Sequence, residues 1–128
     1  METTNSLSRA ERLRGRNDIS RLLAQGRRGS VSCLHYCCLR PNGAEADRIV
    51  VSVPKKLFKR AVKRNLLKRR IREAYRTQKA LLGAAEGRRD ILFIYNSPEV
   101  LPYATIRAAV AEVLTRLADA PEAKSTVK

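Results

Sequence analysis

Acidic residues, aromatics and histidine are all scarce in this sequence. Only 12 Asp and Glu stand against 27 Lys and Arg in 128 residues, and there is one histidine and no tryptophan. With aromatics at 5%, the core has to be aliphatic and modest. No apolar run approaches the ~20 residues that a transmembrane helix needs. The polar stretch from Met1 to Arg16 shows no signal-peptide core, so the expected compartment is the cytoplasm. The three cysteines, Cys33, Cys37 and Cys38, are odd in number and clustered. That pattern excludes a disulfide framework and fits buried free thiols in a reducing compartment.

Catalytic constellations are missing too. Cys33, His35 and Cys37 alternate on what reads as one strand, and so would share a face. Alternate strand residues lie ~6.7 Å apart, which sets Cys33 and Cys37 ~13 Å apart, too wide for one zinc ion. Cleavage of RNA by side chains commonly uses a general base and a general acid, and His35 has no second histidine to work with. The acids are scattered singly, without the convergent carboxylates of a two-metal nuclease. No glycine-rich phosphate loop occurs.

What is present is positive charge. The net charge is +15 and the isoelectric point about 10.7, which suits a polyanionic partner, nucleic acid first. Twelve of the 27 cations fall between Lys55 and Lys79, interrupted by the single acid Glu73. With no glycine or proline between Pro54 and Gly83, this stretch predicts a helix from about Lys59 to Leu82. At ~100° per residue, Leu67, Ile71, Ala74, Tyr75, Leu81 and Leu82 form an apolar stripe. Asn65, Arg69, Arg72 and Arg76 form a ridge on the far side, flanked by Lys68 and Lys79. A merely solvated helix face would intersperse acids as i,i+4 partners, and here they are absent.

Around this helix the sequence reads as one α+β domain in the order α-β-β-α-β-α, with helices packed on a small mixed sheet. Ser8 with Glu11 suits a capping box, and Asn17 suits the cap of a helix ending at Gly26, with Ile19, Leu22 and Leu23 facing inward. Val31 to Leu39 and Ile49 to Val53 read as strands on either side of a Pro41-Asn42-Gly43 turn, expected to pair antiparallel. Ile91 to Tyr95 reads as a third strand, parallel to the second because a helix crosses between them. Ile106 to Leu117 gives the last amphipathic helix, order is expected from about 8 to 119, and the tail 121–128 reads as disordered.

The basic stretch carries a further signal. Lys55-Lys56 followed by Ala61-Val62-Lys63-Arg64-Asn65-Leu66-Leu67-Lys68-Arg69-Arg70-Ile71-Arg72-Glu73-Ala74-Tyr75 resembles the signature of the protein subunit of bacterial ribonuclease P. Arg12-Leu13-Arg14 and Ser52-Val53-Pro54 match that family in kind and order. The resemblance implies a ribonucleoprotein endonuclease whose large RNA performs Mg²⁺-dependent removal of the 5′ leader from precursor tRNA, while the protein binds that RNA and the leader. That division of labour fits the missing catalytic residues, and the Mg²⁺ is used by the RNA and bound by no identifiable motif of the protein.

By position, the resemblance assigns RNA docking to Arg64, Asn65, Lys68, Arg69 and Arg72, with Lys55, Lys56, Lys63 and Arg76 beside them. It assigns a leader cleft to Ile19, Leu23, Tyr36 and Cys37, although plain core packing stays open for Ile19, Leu23 and Tyr36. It also implies a left-handed βαβ crossover, against the general right-handed rule. Two departures stand out: Leu66 replaces a family arginine, and Ile19 and Leu23 replace phenylalanines, which weakens base stacking. The reading from another class is a structural RNA-binding protein of the ribosomal kind, which shares the charge, the size and the basic helix. Major-groove DNA binding lacks the dimerisation heptads it would need.

Overall fold

The computed structural model describes residues 11–13, 15–43, 46–82 and 87–119. In chain order the elements are α1 (Arg16–Gln25), β1 (Arg27–Val31), β2 (Leu34–Leu39), β3 (Arg48–Ser52), α2 (Ala61–Gln78), β4 (Asp90–Tyr95) and α3 (Tyr103–Asp119). One mixed sheet runs β1-β2-β4-β3, with β1/β2 and β2/β4 antiparallel and β3/β4 parallel. The α+β class and the parallel pair joined through the basic helix are as expected. The Ser8 half of the capping box, Arg14 and the tail 121–128 lie outside the described residues.

Two expectations about strands are corrected. The run from Val31 to Leu39 is not one strand: it turns back at Ser32 and Cys33, where Ser32 adopts a left-handed φ of 46°. A two-residue turn of this hand fits the twist of a hairpin, but without Gly or Asn it is invisible in an apolar run. This adds an edge strand, so the order is α-β-β-β-α-β-α. Nor do β2 and β3 pair, because β4 lies between them. The sequence Ile91-Leu92-Phe93-Ile94-Tyr95 offers apolar side chains to both faces, and such a strand belongs at the centre of a covered sheet.

Each face of the sheet carries its own cluster. Val51, Ile91, Phe93 and Tyr95 meet Leu67, Ile71, Ala74 and Tyr75 of α2 and the inner residues of α3 in the main core. On α3 those are Ile106, Ala109, Val110, Val113, Leu114 and Leu117, all buried. Across the sheet, Leu22 of α1 packs with Leu13, Cys37, Leu39 and Leu92 in a smaller cluster. In α2 the predicted stripe holds through Tyr75 and extends to Gln78, whose amide donates to the Arg107 carbonyl at 3.0 Å. Leu81, expected on the stripe, is instead 44% exposed. The chain tightens into a 3₁₀ turn at Lys79–Leu82, so the α-helical period no longer holds there, and of the two leucines only Leu82 is buried.

Helix α1 differs from expectation at its start. Gly15 is its N-cap and makes no side-chain cap bond, while Asn17 lies inside the first turn. Its end is as expected: the Gly26 N–H donates to the Leu22 carbonyl at 2.8 Å. A Cβ at Gly26 would come within 2.7 Å of Cys37 Sγ, so only glycine lets the helix end lie this close to β2.

All three cysteines are free and buried. Cys33 sits in the hairpin turn and belongs to the main core, whereas Cys37 belongs to the α1 cluster. The shared face expected for Cys33, His35 and Cys37 therefore does not form. Burial pushes the Cys33 and Cys37 thiols up and takes Cys38 from 9.0 to about 12. A thiol that holds its proton more tightly when folded stabilises the fold below the unfolded value, and that contribution drains away as pH climbs toward the folded one. Stability is therefore expected to fall as pH rises from 9 toward 12. In the native protein at neutral pH, a thiol reagent should label none of the three cysteines until denaturant is added. Denaturant titrations across that pH range, with thiol counting, check both outcomes.

Candidate nucleic-acid interface

Because α2 buries Leu67, Ile71, Ala74, Tyr75 and Gln78, its opposite side must face outward. Asn65, Arg69 and Arg72 are exposed there, and with Arg76 they span four positions along ~16 Å of helix. Among the described residues Arg69 and Arg72, like their neighbours Lys63 and Lys68, form no ion pair. A row of cations without acidic partners creates a focused positive potential, which a phosphate backbone neutralises best.

Other predicted contacts are already engaged within the protein. Arg64 Nη1 donates to the Phe58 and Lys59 carbonyls at 2.8 and 2.9 Å. It thereby folds back over the start of α2, where Arg60 supplies no side-chain cap, and braces the loop that carries Lys55 and Lys56. Both of those lysines are exposed. Arg76 is paired with Glu73 one turn back, Nε to Oε1 being 3.0 Å. The hydrogen bond to Arg76 holds the Glu73 carboxyl below its ordinary range. Lys79, expected to flank the ridge, binds Glu11 at 2.7 Å instead. Leu66 is only half-buried, one position off the stripe and one helical turn from Lys63 and Arg70.

A second feature lies on the α1 face. A groove beside α1 is lined by Leu23, Arg28, His35, Cys37, Leu92 and Ile94, together with Gly29 and Tyr36. Its floor follows from register: His35 faces Ile94 and Cys37 faces Leu92 across the β2/β4 pair. Leu23 projects 40% exposed from the helix, while Ile19 is half-buried against the α1 cluster. Cys37 donates its Sγ–H to the Leu22 carbonyl at 3.3 Å. Tyr36 borders the groove, but its ring packs against the main core on the other layer, lying over Gly29 where any Cβ would collide.

Sequence reasoning missed the polar rim of this groove. Arg28 and His35 line it, and Arg28 Nη2 donates to the Leu23 carbonyl at 2.7 Å. The alternation of residues 35 and 37 was visible, but only the β2/β4 pairing sets them beside residues 92 and 94. Among the described residues no three His, Cys, Asp or Glu side chains gather closely enough to hold a metal ion. No helix among them is long and apolar enough to cross a membrane.

The sequence model of the family described as Ribonuclease P matches residues 7–118. The chain belongs to the ribonuclease P family. The ribonuclease P protein component of Porphyromonas gingivalis is 37% identical over 121 residues, covering 90% of this chain and 88% of the relative. That of Chlorobaculum tepidum is 47% identical over 88 residues, covering 64% of this chain and 56% of its own length. The solved ribonuclease P protein of Staphylococcus aureus superposes with a TM-score of 0.71 at 25% identity, covering 87% of this chain and 97% of that one. The Thermotoga maritima ribonuclease P protein gives 0.70 at 25% identity, over 83% of this chain and 96% of that one.

Membership in the ribonuclease P family gives the chain a polyanionic partner. The chain is a ribonuclease P subunit, part of a ribonucleoprotein endonuclease of tRNA processing, and the ribonuclease P RNA is what it assembles with. The ribosomal alternative falls away. The structure also shows which arginines make a fair contrast to the ridge. Arg89 is buried to 2% exposure and reaches the Leu117 carbonyl, so replacing it would damage the fold, whereas Arg88 and Arg107 are exposed. Arg69→Ala with Arg72→Ala is expected to weaken binding to ribonuclease P RNA more than Arg88→Ala with Arg107→Ala. Losing two phosphate contacts should also flatten the slope of log affinity against log salt by about 1.4–1.8. Filter binding at several salt concentrations checks this, and equal losses from the two pairs would mean that the positive surface acts diffusely.

Proposed function

We propose that this subunit holds two RNA segments on two separate faces. The outer face of α2 docks on the ribonuclease P RNA through Asn65, Lys68, Arg69 and Arg72, with Lys63 beside them and Lys55 and Lys56 at the helix start. Arg64 and Arg76 support this face, Arg64 by bracing the preceding loop and Arg76 at the ridge's far end. The observation that carries the reading is the unpaired row of Asn65, Arg69 and Arg72 directly opposite a fully buried stripe. An interior that tight fixes the helix roll, so the cations are presented without reorganisation.

The groove beside α1 takes the 5′ leader of precursor tRNA. Leu23, Ile94 and Leu92 offer apolar surface to bases, and Arg28 and His35 offer positive or hydrogen-bonding groups to the backbone. Ile19 and Cys37 support the wall and floor from beneath, and Tyr36 borders them. Aliphatic side chains give bases less stacking than aromatic ones, so leader affinity here leans on the rim. Hydrolysis and its Mg²⁺ belong to the RNA. The compartment is the cytoplasm, where three free cysteines stay reduced.

Reconstitution tests the whole reading. Pure, RNA-free protein incubated with labelled precursor tRNA and Mg²⁺ is expected to leave it intact. Adding ribonuclease P RNA at low Mg²⁺ should restore a single cut at the mature 5′ end, at a rate above that of the RNA alone. Accurate processing by the protein by itself would contradict the assignment of chemistry to the RNA.

A further inference from the structure

We infer that Arg48 is a positioning residue for the leader groove, acting through Asp18 and Asp90 to set the roll of α1; this rests on the groove's being the leader site. Arg48 and Asp90 face each other as direct partners in the parallel β3/β4 pair. The Asp90 carboxylate is wholly buried, and Arg48 grips it in a two-pronged contact, Nε to Oδ1 at 2.8 Å and Nη2 to Oδ2 at 2.9 Å. Asn42 Nδ2 donates to the same Oδ1 at 2.8 Å. An ion buried this deeply cannot be left unpaired without large cost, so the guanidinium has one orientation.

Its remaining nitrogen is thereby fixed as well. Arg48 Nη1 lies 3.4 Å from Asp18 Oδ2 in the first turn of α1. One turn later, Arg21 Nη2 donates to the Asn42 carbonyl at 2.9 Å. Two side chains of α1 are therefore tied to the buried cluster at the ends of β3 and β4. The hydrogen bond to Asp90 is the main reason the Arg48 guanidinium holds its proton even more firmly than usual.

Helix α1 needs such a tie. It has ten residues and buries one of them fully, Leu22, and a helix this short is not stable alone. Because apolar contact is non-directional, a single buried side chain resists rolling poorly, unlike the five that α2 buries. Leu23 follows Leu22 by ~100° around the axis, so any roll changes how far Leu23 reaches over the groove. Cys37, Gly26 and Arg28 hold the far end of the helix, and Arg48 through Asp18 holds the near end.

The test uses protein reconstituted with ribonuclease P RNA, comparing affinity for precursor tRNA with affinity for mature tRNA that lacks a leader. Asp18→Asn removes the charge from a partly exposed carboxylate, and Arg48→Lys keeps the charge but cannot bridge both acids. Each should lower the precursor preference by about two- to fivefold while affinity for ribonuclease P RNA stays unchanged. Asp18→Glu should keep the wild-type preference. Hydrogen exchange of the α1 amides should quicken in Asp18→Asn. Leu23→Ala reports on the groove itself. If it loses the preference while Asp18→Asn and Arg48→Lys keep it, the leader uses the groove but the network does not position it. If Leu23→Ala also keeps the preference, the groove is not the leader site, and the inference falls with that reading. An equal loss of affinity for ribonuclease P RNA in Asp18→Asn would mark general destabilisation and overturn the inference.

Discussion

Everything in this molecule is arranged around β4. Its residues Ile91, Phe93 and Tyr95 fill the main core, Leu92 enters the α1 cluster and Ile94 packs at that cluster's edge. A strand that hydrophobic on both faces has to be covered on both, and it forces β2 and β3 apart to take the middle of the sheet. The β3-to-β4 connection then has to cross a face of the sheet, and α2 is that connection. Leu67, Ile71, Ala74 and Tyr75 are buried in the core that β4 shares with β3 and α3, the Tyr75 ring lying 6.2 Å from that of Phe93, and this burial fixes the helix's roll. The direction in which the cations point is a consequence of how that shared core is packed.

Charge in this protein has two jobs that its composition does not separate. Some guanidinium groups are internal struts. Arg48 holds Asp90, Arg64 braces the loop before α2, Arg70 reaches the Leu101 carbonyl, and Arg89 reaches Leu117 from a buried position. Others, Arg69 and Arg72 above all, are exposed and free of acidic partners among the described residues. A strut is worth what its buried partner would cost if abandoned. An exposed cation contributes little to folding and much to polyanion binding. Among the described residues, Glu11, Asp18, Asp47, Glu73, Asp90 and Glu112 are each taken up in an ion pair within the protein, and none of these pairs includes Arg69 or Arg72 on the far side of α2.

How much of this was legible follows from the range of each signal. The faces of α2 and α3 are local, period-3.6 patterns, and they read correctly except at Leu81, where a 3₁₀ turn changes the period. The ridge of Asn65, Arg69 and Arg72 was legible for the same reason. Pairing of strands is not local: nothing within Val31 to Leu39 announces a turn at Ser32, and nothing in β2 or β3 says that β4 will come between them. The groove inherits that difficulty. Leu23 and Cys37 could be named by family resemblance, but Arg28 and His35 join them only through the β1/β2 hairpin and the β2/β4 register. Family resemblance makes Arg64 and Arg76 RNA contacts, and only their hydrogen bonds show that they also serve the fold.

The central claim is that one rigid fold presents two different RNAs with two different faces. Site-specific crosslinking measures it directly, because all three native cysteines are buried and a single introduced one can be labelled. A photoreactive group placed on Arg72→Cys and, separately, on Leu23→Cys would be activated in the complex of protein, ribonuclease P RNA and precursor tRNA. The account predicts that position 72 joins to the ribonuclease P RNA and position 23 to the 5′ leader. Crosslinks from both positions to the same RNA segment would contradict it.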